Sequence, residues 1–219
     1  YFAKSLGGNR CQFFQAELNQ EAVKQLKTEN LIRHGLQKDL FRVMYQPKVN
    51  VKTGQLCGME ALVRFEHPKH GLISPKDFIP MAEETGQIVE IGEKVLQMAC
   101  SDAARWVDAG LMSGKVAINI AALQFKQPDF AKQVRQILDN TGLSPDHLEC
   151  EITEGTLIDD PEDALNVMLA LRAQGVQLAL DDFGTGYSSL AYLKRFPITT
   201  LKIDKAFIDD IDKNSTDKN

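Results

Sequence analysis

Six residues of the 219-residue chain have types and spacing that could do chemistry together: Glu60, Asn119, Glu151, Asp181, Asp182 and Lys202. They fall in or at the end of five successive apolar runs: GMEALVRF (58–65), KVAINI (115–120), LECEIT (148–153), VQLALD (176–181) and TTLKID (199–204). Desolvating a lone charge costs several kcal/mol, so one such residue would read as a cap or a solvent-facing side chain. Five consecutive runs with the same feature form a pattern. Gathered in space, four carboxylates and an amide oxygen repel one another unless cations sit among them. An all-oxygen donor set suits the hard ions Mg²⁺, Mn²⁺ or Ca²⁺. The adjacent carboxylates Asp181 and Asp182 can bridge a metal pair, as two-metal phosphoryl chemistry requires. Lys202 can hold a water or steady a developing negative charge. The residues alone thus point to a metal-dependent site for phosphate esters.

The elements that must position these groups alternate. A further run, RVMYQPKV (42–49), precedes the five, and the turn VKTGQ makes it a hairpin with the next. From residue 58 onward, helical patterns at 90–110, 129–142 and 161–175 separate the strands. The last begins with a first-turn Pro and acids and ends in Gly, the expected start and stop signals. This order predicts a parallel sheet covered by helices. Strand spacings of about 60, 30, 30 and 20 residues favour a barrel of the TIM type over a doubly wound open sheet. The Gly-rich phosphate fingerprint of dinucleotide folds is also missing after the first strand. In a parallel barrel the C-terminal strand ends share one mouth. VQLALD is expected to stop at its acids. Ahead of the sheet, residues 16–40 form an amphipathic helix expected to break near Asn30 or Gly35, either a plain surface helix or a connector between domains.

Composition narrows the class. Hydrophobic residues at 43%, charged residues at 25% and a net charge of −5 describe a soluble globular protein. They argue against one that coats a DNA or RNA polymer, where basic surface supplies most of the affinity. Cys11, Cys57, Cys100 and Cys150 lie far apart and read as reduced thiols of a cytoplasmic protein. No run approaches a membrane span. The start, which lacks Met and a signal-peptide layout, reads as a cut from a longer chain. Asp182-Phe183-Gly184 spells the kinase D-F-G, but no Gly-rich loop, V-A-I-K or H-R-D accompanies it. His67 and His70 read as loop structure, Trp106 as core, and the polar end DDIDKNSTDKN as a loop or frayed end.

The segments GMEALVRFEHP, NIAALQF, ECEITE, LALDDFGTGYSSLAYLKRFP and LKID stand in the order and spacing of the EAL domain, which the chain resembles from about residue 38 to 212. Residues 1–15 look like the end of a GGDEF domain, leaving 16–37 as a connector helix and 38–219 as the EAL domain. The resemblance implies a (β/α)₈ barrel and a phosphodiesterase that cuts cyclic di-GMP to linear pGpG with two Mg²⁺ or Mn²⁺, Ca²⁺ inhibiting. It implies metal ligands Glu60, Asn119, Glu151, Asp181 and Asp182, with Asp181 as the bridge. Lys202 matches the lysine that contacts the attacking water. Glu154 matches an acid that anchors the loop DFGTGYSS. Gln46 and Arg64 match positions that contact the dinucleotide, the Arg through phosphate. It further implies a homodimer, a GGDEF domain in the parent chain and a cytoplasmic setting, with anchoring of the parent to the inner membrane by segments outside this sequence left open.

Family members continue through a strand with an EGVE-like segment, whose first Glu is proposed to act on the catalytic water, and an eighth strand near QGY. With six strand runs here, the expectation is a fragment of a barrel, the alternative being a barrel whose missing strands come from elsewhere. Ala121 replaces the usual Ser, and Gly155 is unusual after EITE. The rival reading is a non-catalytic EAL module that binds cyclic di-GMP and relays the signal; such receptors usually lose ligands that this chain keeps. A third is a GGDEF–EAL pair whose synthase half regulates the other.

Overall fold

The computed structural model describes residues 16–158, 160–184 and 194–205. The segment matched to a GGDEF domain (1–15), residues 185–193 with most of the DFGTGYSS loop, and the polar C-terminal end lie outside them. Helix α1 (Ala16–Gln37) leads into the hairpin β1 (Phe41–Val49) and β2 (Leu56–His67). The hairpin closes because Asn50 Oδ1 accepts the Lys52 and Thr53 N–H groups and Gly54 takes φ 70°. A short strand, β3 (Gly71–Ile73), then pairs with the end of β2. There follow α2 (Pro75–Glu84), α3 (Ile88–Asp108), β4 (Lys115–Ile120), α4 (Ala122–Phe125) and α5 (Phe130–Thr141). A 3₁₀ turn (Pro145–His147), β5 (Leu148–Thr153), α6 (Glu154–Ile158), α7 (Pro161–Ala173), β6 (Gln177–Phe183) and β7 (Thr200–Ile203) complete the described chain.

The sheet runs β1-β2-β4-β5-β6-β7, antiparallel at β1–β2 and parallel from β2 onward. Strands add in chain order without reversal, whereas a doubly wound sheet turns back at a switch point. The winding is therefore that of a barrel wall, and among the described residues it does not close. The hairpin, the alternation and the capping of α7, where Asp160 Oδ1 accepts from Asp163 N at 3.1 Å, match the sequence pattern.

The two faces of the sheet differ sharply. Val116, Ile118, Ile120, Leu148, Cys150, Ile152, Leu178 and Leu180 are buried and join the core with Leu96, Ala99, Val134, Leu138, Met168 and Leu171 from the helices. The alternate positions carry Asn119, Glu149, Glu151 and Asp181, with Ala117 and Ala179 between them. Side chains on a strand alternate faces, so the apolar half builds the core and the polar half is left facing inward.

Four expectations fail. Helix α1 runs unbroken for 22 residues through both Asn30 and Gly35. A Cβ on Gly35 would lie 2.6 Å from Phe65 Cε2, so the glycine serves close packing rather than a break. The end of α1 is not a plain surface helix either, since Ile32 and Leu36 are buried in the core. Strand β6 continues past Asp181 to Phe183, with Asp182 at φ 55°. His67 ends β2 rather than lying in a loop, and its ring stands 4.7 Å from that of His70 and 5.9 Å from that of His34. Trp106 is half-buried, edge-on to Tyr45 at 4.6 Å. Cys57, Cys100 and Cys150 are free thiols, and burial pushes Cys100 up to about 12.

Candidate functional site

Register places the predicted groups on one face. Asn119 pairs with Glu151, and Glu60 sits opposite Ala117, two residues before Asn119. Glu151 pairs with Ala179, two residues before Asp181. Ala179 pairs in turn with Thr200, two residues before Lys202. A period of two preserves the face across all five strands. The alanines at the crossing points leave room for the long side chains around them.

The side chains converge as that register demands. Lys202 Nζ donates to Glu151 Oε2 at 2.5 Å and to Asp181 Oδ2 at 2.7 Å, with Glu60 Oε2 at 3.6 Å. Asn119 Nδ2 donates to Glu60 Oε1 at 2.8 Å. The Glu151 side chain is fully buried. Burial alone would lower the Lys202 pKa, but its hydrogen bonds to Asp181 and Glu151 outweigh that and raise it above the usual lysine value. The ammonium therefore stays charged. Asp182 is exposed, and partial desolvation, then the neighbouring Asp181 and Asp204 carboxylates, push its carboxyl upward. Glu154, buried at 3% exposure, accepts the Gly184 N–H at 3.3 Å and so ties α6 to the turn after β6. The rest of the loop it was expected to anchor lies outside the described residues.

Gln46 and Arg64 fall differently. Gln46 is exposed directly opposite Glu60 in the β1–β2 ladder and lines the same cavity of about 560 Å³ as Glu60 and Lys202. Arg64 shares the face of Glu60, but its guanidinium donates to the Val63 carbonyl at 2.8 Å. It lines a second, smaller cavity of about 250 Å³ with Asn119 and Gln124. Asn119, lining this second cavity, hydrogen-bonds Glu60 of the first. An added Cβ at Gly155 would meet nothing within 4 Å, so no close approach demands glycine there.

The sequence reading missed a lower tier. Lys48 Nζ donates to Glu151 Oε1 at 2.7 Å and lies 3.4 Å from Glu149 Oε1. Glu149 Oε2 accepts from Lys115 Nζ at 3.2 Å and from Thr200 Oγ1 at 2.9 Å. Burial pushes the Glu149 carboxyl up, but Thr200, Lys115 and Lys48 together bring it below the usual carboxylate range. The available signal was the second acid of LECEIT, two residues before Glu151 and hence on the same face.

Among the described residues, no three His, Cys, Asp or Glu side chains are arranged to hold a metal ion directly. The Lys202 ammonium instead occupies the centre of the acids, as a cation among oxygens. The donor set of Glu60, Asn119, Glu151, Asp181 and Asp182 remains all-oxygen and fits a hard divalent ion.

A family model described as EAL domain matches residues 29–219. The chain belongs to the EAL domain family. Structures of this family are TIM-type barrels, in agreement with the winding seen here. The chain is 44% identical over 217 residues to the bifunctional diguanylate cyclase/cyclic di-GMP phosphodiesterase MucR of Pseudomonas aeruginosa, covering 99% of this chain and 32% of MucR. It is 39% identical over 215 residues to the cyclic di-GMP phosphodiesterase NbdA of the same organism, covering 98% of this chain and 28% of NbdA. This EAL chain thus spans about a third or less of the length of each. The solved MucR phosphodiesterase in complex with c-di-GMP superposes with TM-score 0.84 at 44% identity, covering 88% of this chain and 78% of that one. Among the described residues no helix is long and apolar enough to cross a membrane.

Proposed function

We propose that this EAL domain hydrolyses cyclic di-GMP to linear pGpG with the help of divalent metal. The observation that carries the reading is the convergence of Glu60, Glu151 and Asp181 on Lys202, all on one face of successive strands. The MucR and NbdA relatives, each named for cyclic di-GMP phosphodiesterase activity, support the substrate. Glu60, Asn119, Glu151, Asp181 and Asp182 would hold two Mg²⁺ or Mn²⁺. Such ions, when bound, polarise a phosphate oxygen and make a bound water more acidic.

The chain's own groups do the rest. Lys202, firmly protonated, orients the attacking water and steadies negative charge developing on the phosphate. Asn119 orients Glu60 through its hydrogen bond. Gln46, across the ladder from Glu60, and Arg64 hold the dinucleotide, the Arg by a phosphate. Glu154 fixes Gly184 and with it the backbone that carries Asp181 and Asp182. The same reading includes a homodimer and a diguanylate cyclase domain in the parent chain, the latter supported by the bifunctional MucR relative.

The test is chromatography of cyclic di-GMP incubated with the protein and Mg²⁺ or Mn²⁺. pGpG is expected, and Asp181→Asn is expected to abolish it. Nucleotide that stays bound and intact would replace the enzyme with a receptor.

A further inference from the structure

Glu151 is clamped from two sides. Its side chain has no solvent exposure, Oε2 receives Lys202 from β7, and Oε1 receives Lys48 from β1. The two lysines are not equivalent. Lys202 also reaches Asp181 and approaches Glu60, so it sits among the acids proposed to hold metal. Lys48 contacts Glu149 instead, in the tier beneath, where Lys115 and Thr200 also bind. A cation arriving among Glu60, Asp181 and Glu151 would compete with Lys202 for Oε2. It would leave the Lys48 contact with Oε1 in place.

We infer that Lys48 is a positioning residue that sets which divalent cation the site takes, by committing Glu151 Oε1 and leaving Oε2 alone to ligate. The inference rests on the metal-dependent reading of the site. The chemistry follows from ion size. Ca²⁺ accepts six to eight oxygens and readily takes both oxygens of one carboxylate, while Mg²⁺ demands near-octahedral geometry with single-oxygen ligands. An ammonium on one carboxylate oxygen withdraws charge from it and occupies one of its lone pairs, so chelation through both oxygens is disfavoured. Glu149 does not need Lys48 for its own charge, because Lys115 and Thr200 both donate to its other oxygen. The strong, 2.7 Å contact of Lys48 is the one to Glu151.

The test is calorimetric titration of Ca²⁺ and, separately, Mn²⁺ into nucleotide-free protein, comparing native with Lys48→Met and Lys48→Arg. Removing a positive charge strengthens binding of both ions, so the informative quantity is the ratio of the two affinities. Lys48→Met is expected to raise the Ca²⁺/Mn²⁺ affinity ratio about tenfold, and Lys48→Arg to hold it near native. Lys48→Gln, neutral and less apolar, carries the same expectation as Met should the Met variant fail to fold. A ratio unchanged in the neutral variants overturns the role of Lys48 while leaving the metal site standing. A native protein that binds neither ion overturns both this inference and the metal-dependent reading.

Discussion

Lys202 Nζ and Asp181 Oδ2 are 2.7 Å apart, and the same ammonium lies 2.5 Å from the buried Glu151. Removing one partner of a buried ion pair strands the other, at a cost of about 2 to 4 kcal/mol for a pair with some solvent access. Lys202→Met is therefore expected to lower the melting temperature in the presence of a chelator. A divalent cation among the same acids replaces the lost charge, so Mg²⁺ or Mn²⁺ should recover much of that stability. Equal losses with and without metal, in thermal melts, would show that these acids do not bind it.

Glu149 gives a pH signature. Its folded carboxyl lies below the ordinary value, so its stabilisation is complete above the unfolded pKa of about 4.3. It is lost as pH falls through the lower folded value. Glu149→Gln should be less stable than native at pH 7 by about 1 to 3 kcal/mol, since Lys115 and Thr200 lose a charged acceptor. The gap should begin to narrow below about pH 4.3 and close as pH falls past the lower folded value. Urea unfolding in steps from pH 7 to pH 2.5 measures it, and a gap independent of pH would contradict the assignment.

Glu154→Ala removes the acceptor of the Gly184 N–H. The backbone carrying Asp181 and Asp182 loses its tether, so pGpG formation should fall at least tenfold. Global stability should change by only about 1 to 2 kcal/mol. A variant with native turnover would separate Glu154 from the site.

Gly35→Ala tests packing against propensity. Alanine favours a helix by about 1 kcal/mol over glycine, yet its Cβ would enter the Phe65 ring at 2.6 Å. Overpacking of a tight core costs about 1 to 3 kcal/mol, so net destabilisation is expected on urea unfolding. A stabilised variant would show that the ring yields freely.

Much of the site was legible because carboxylates at strand ends are chemically anomalous. Glu60, Glu151 and Asp181 could be brought together because the C-terminal strand ends of a parallel barrel share one mouth, while the register that sets them on one face came from the fold. Lys48 and Lys115 escaped because a lysine near a strand end reads as a solvated side chain, and only the fold brings it to a buried acid. Gly35 misled for a related reason: glycine signals a helix break locally, but its partner is an aromatic ring 30 residues away in sequence. Helix α2 was missed because Pro80 lies inside it and reads as a breaker. β3 has only three residues, too short for any period to register.

The unbroken α1 has a mechanical meaning. At ~1.5 Å per residue its 22 residues make a rod of about 33 Å. The rod is seated by Gly35 against Phe65, and Phe65 lies on the same strand as Glu60. With no hinge at Asn30 or Gly35 to absorb it, a twist applied at the far end of the rod arrives as a displacement of the strand that carries the first acid of the site.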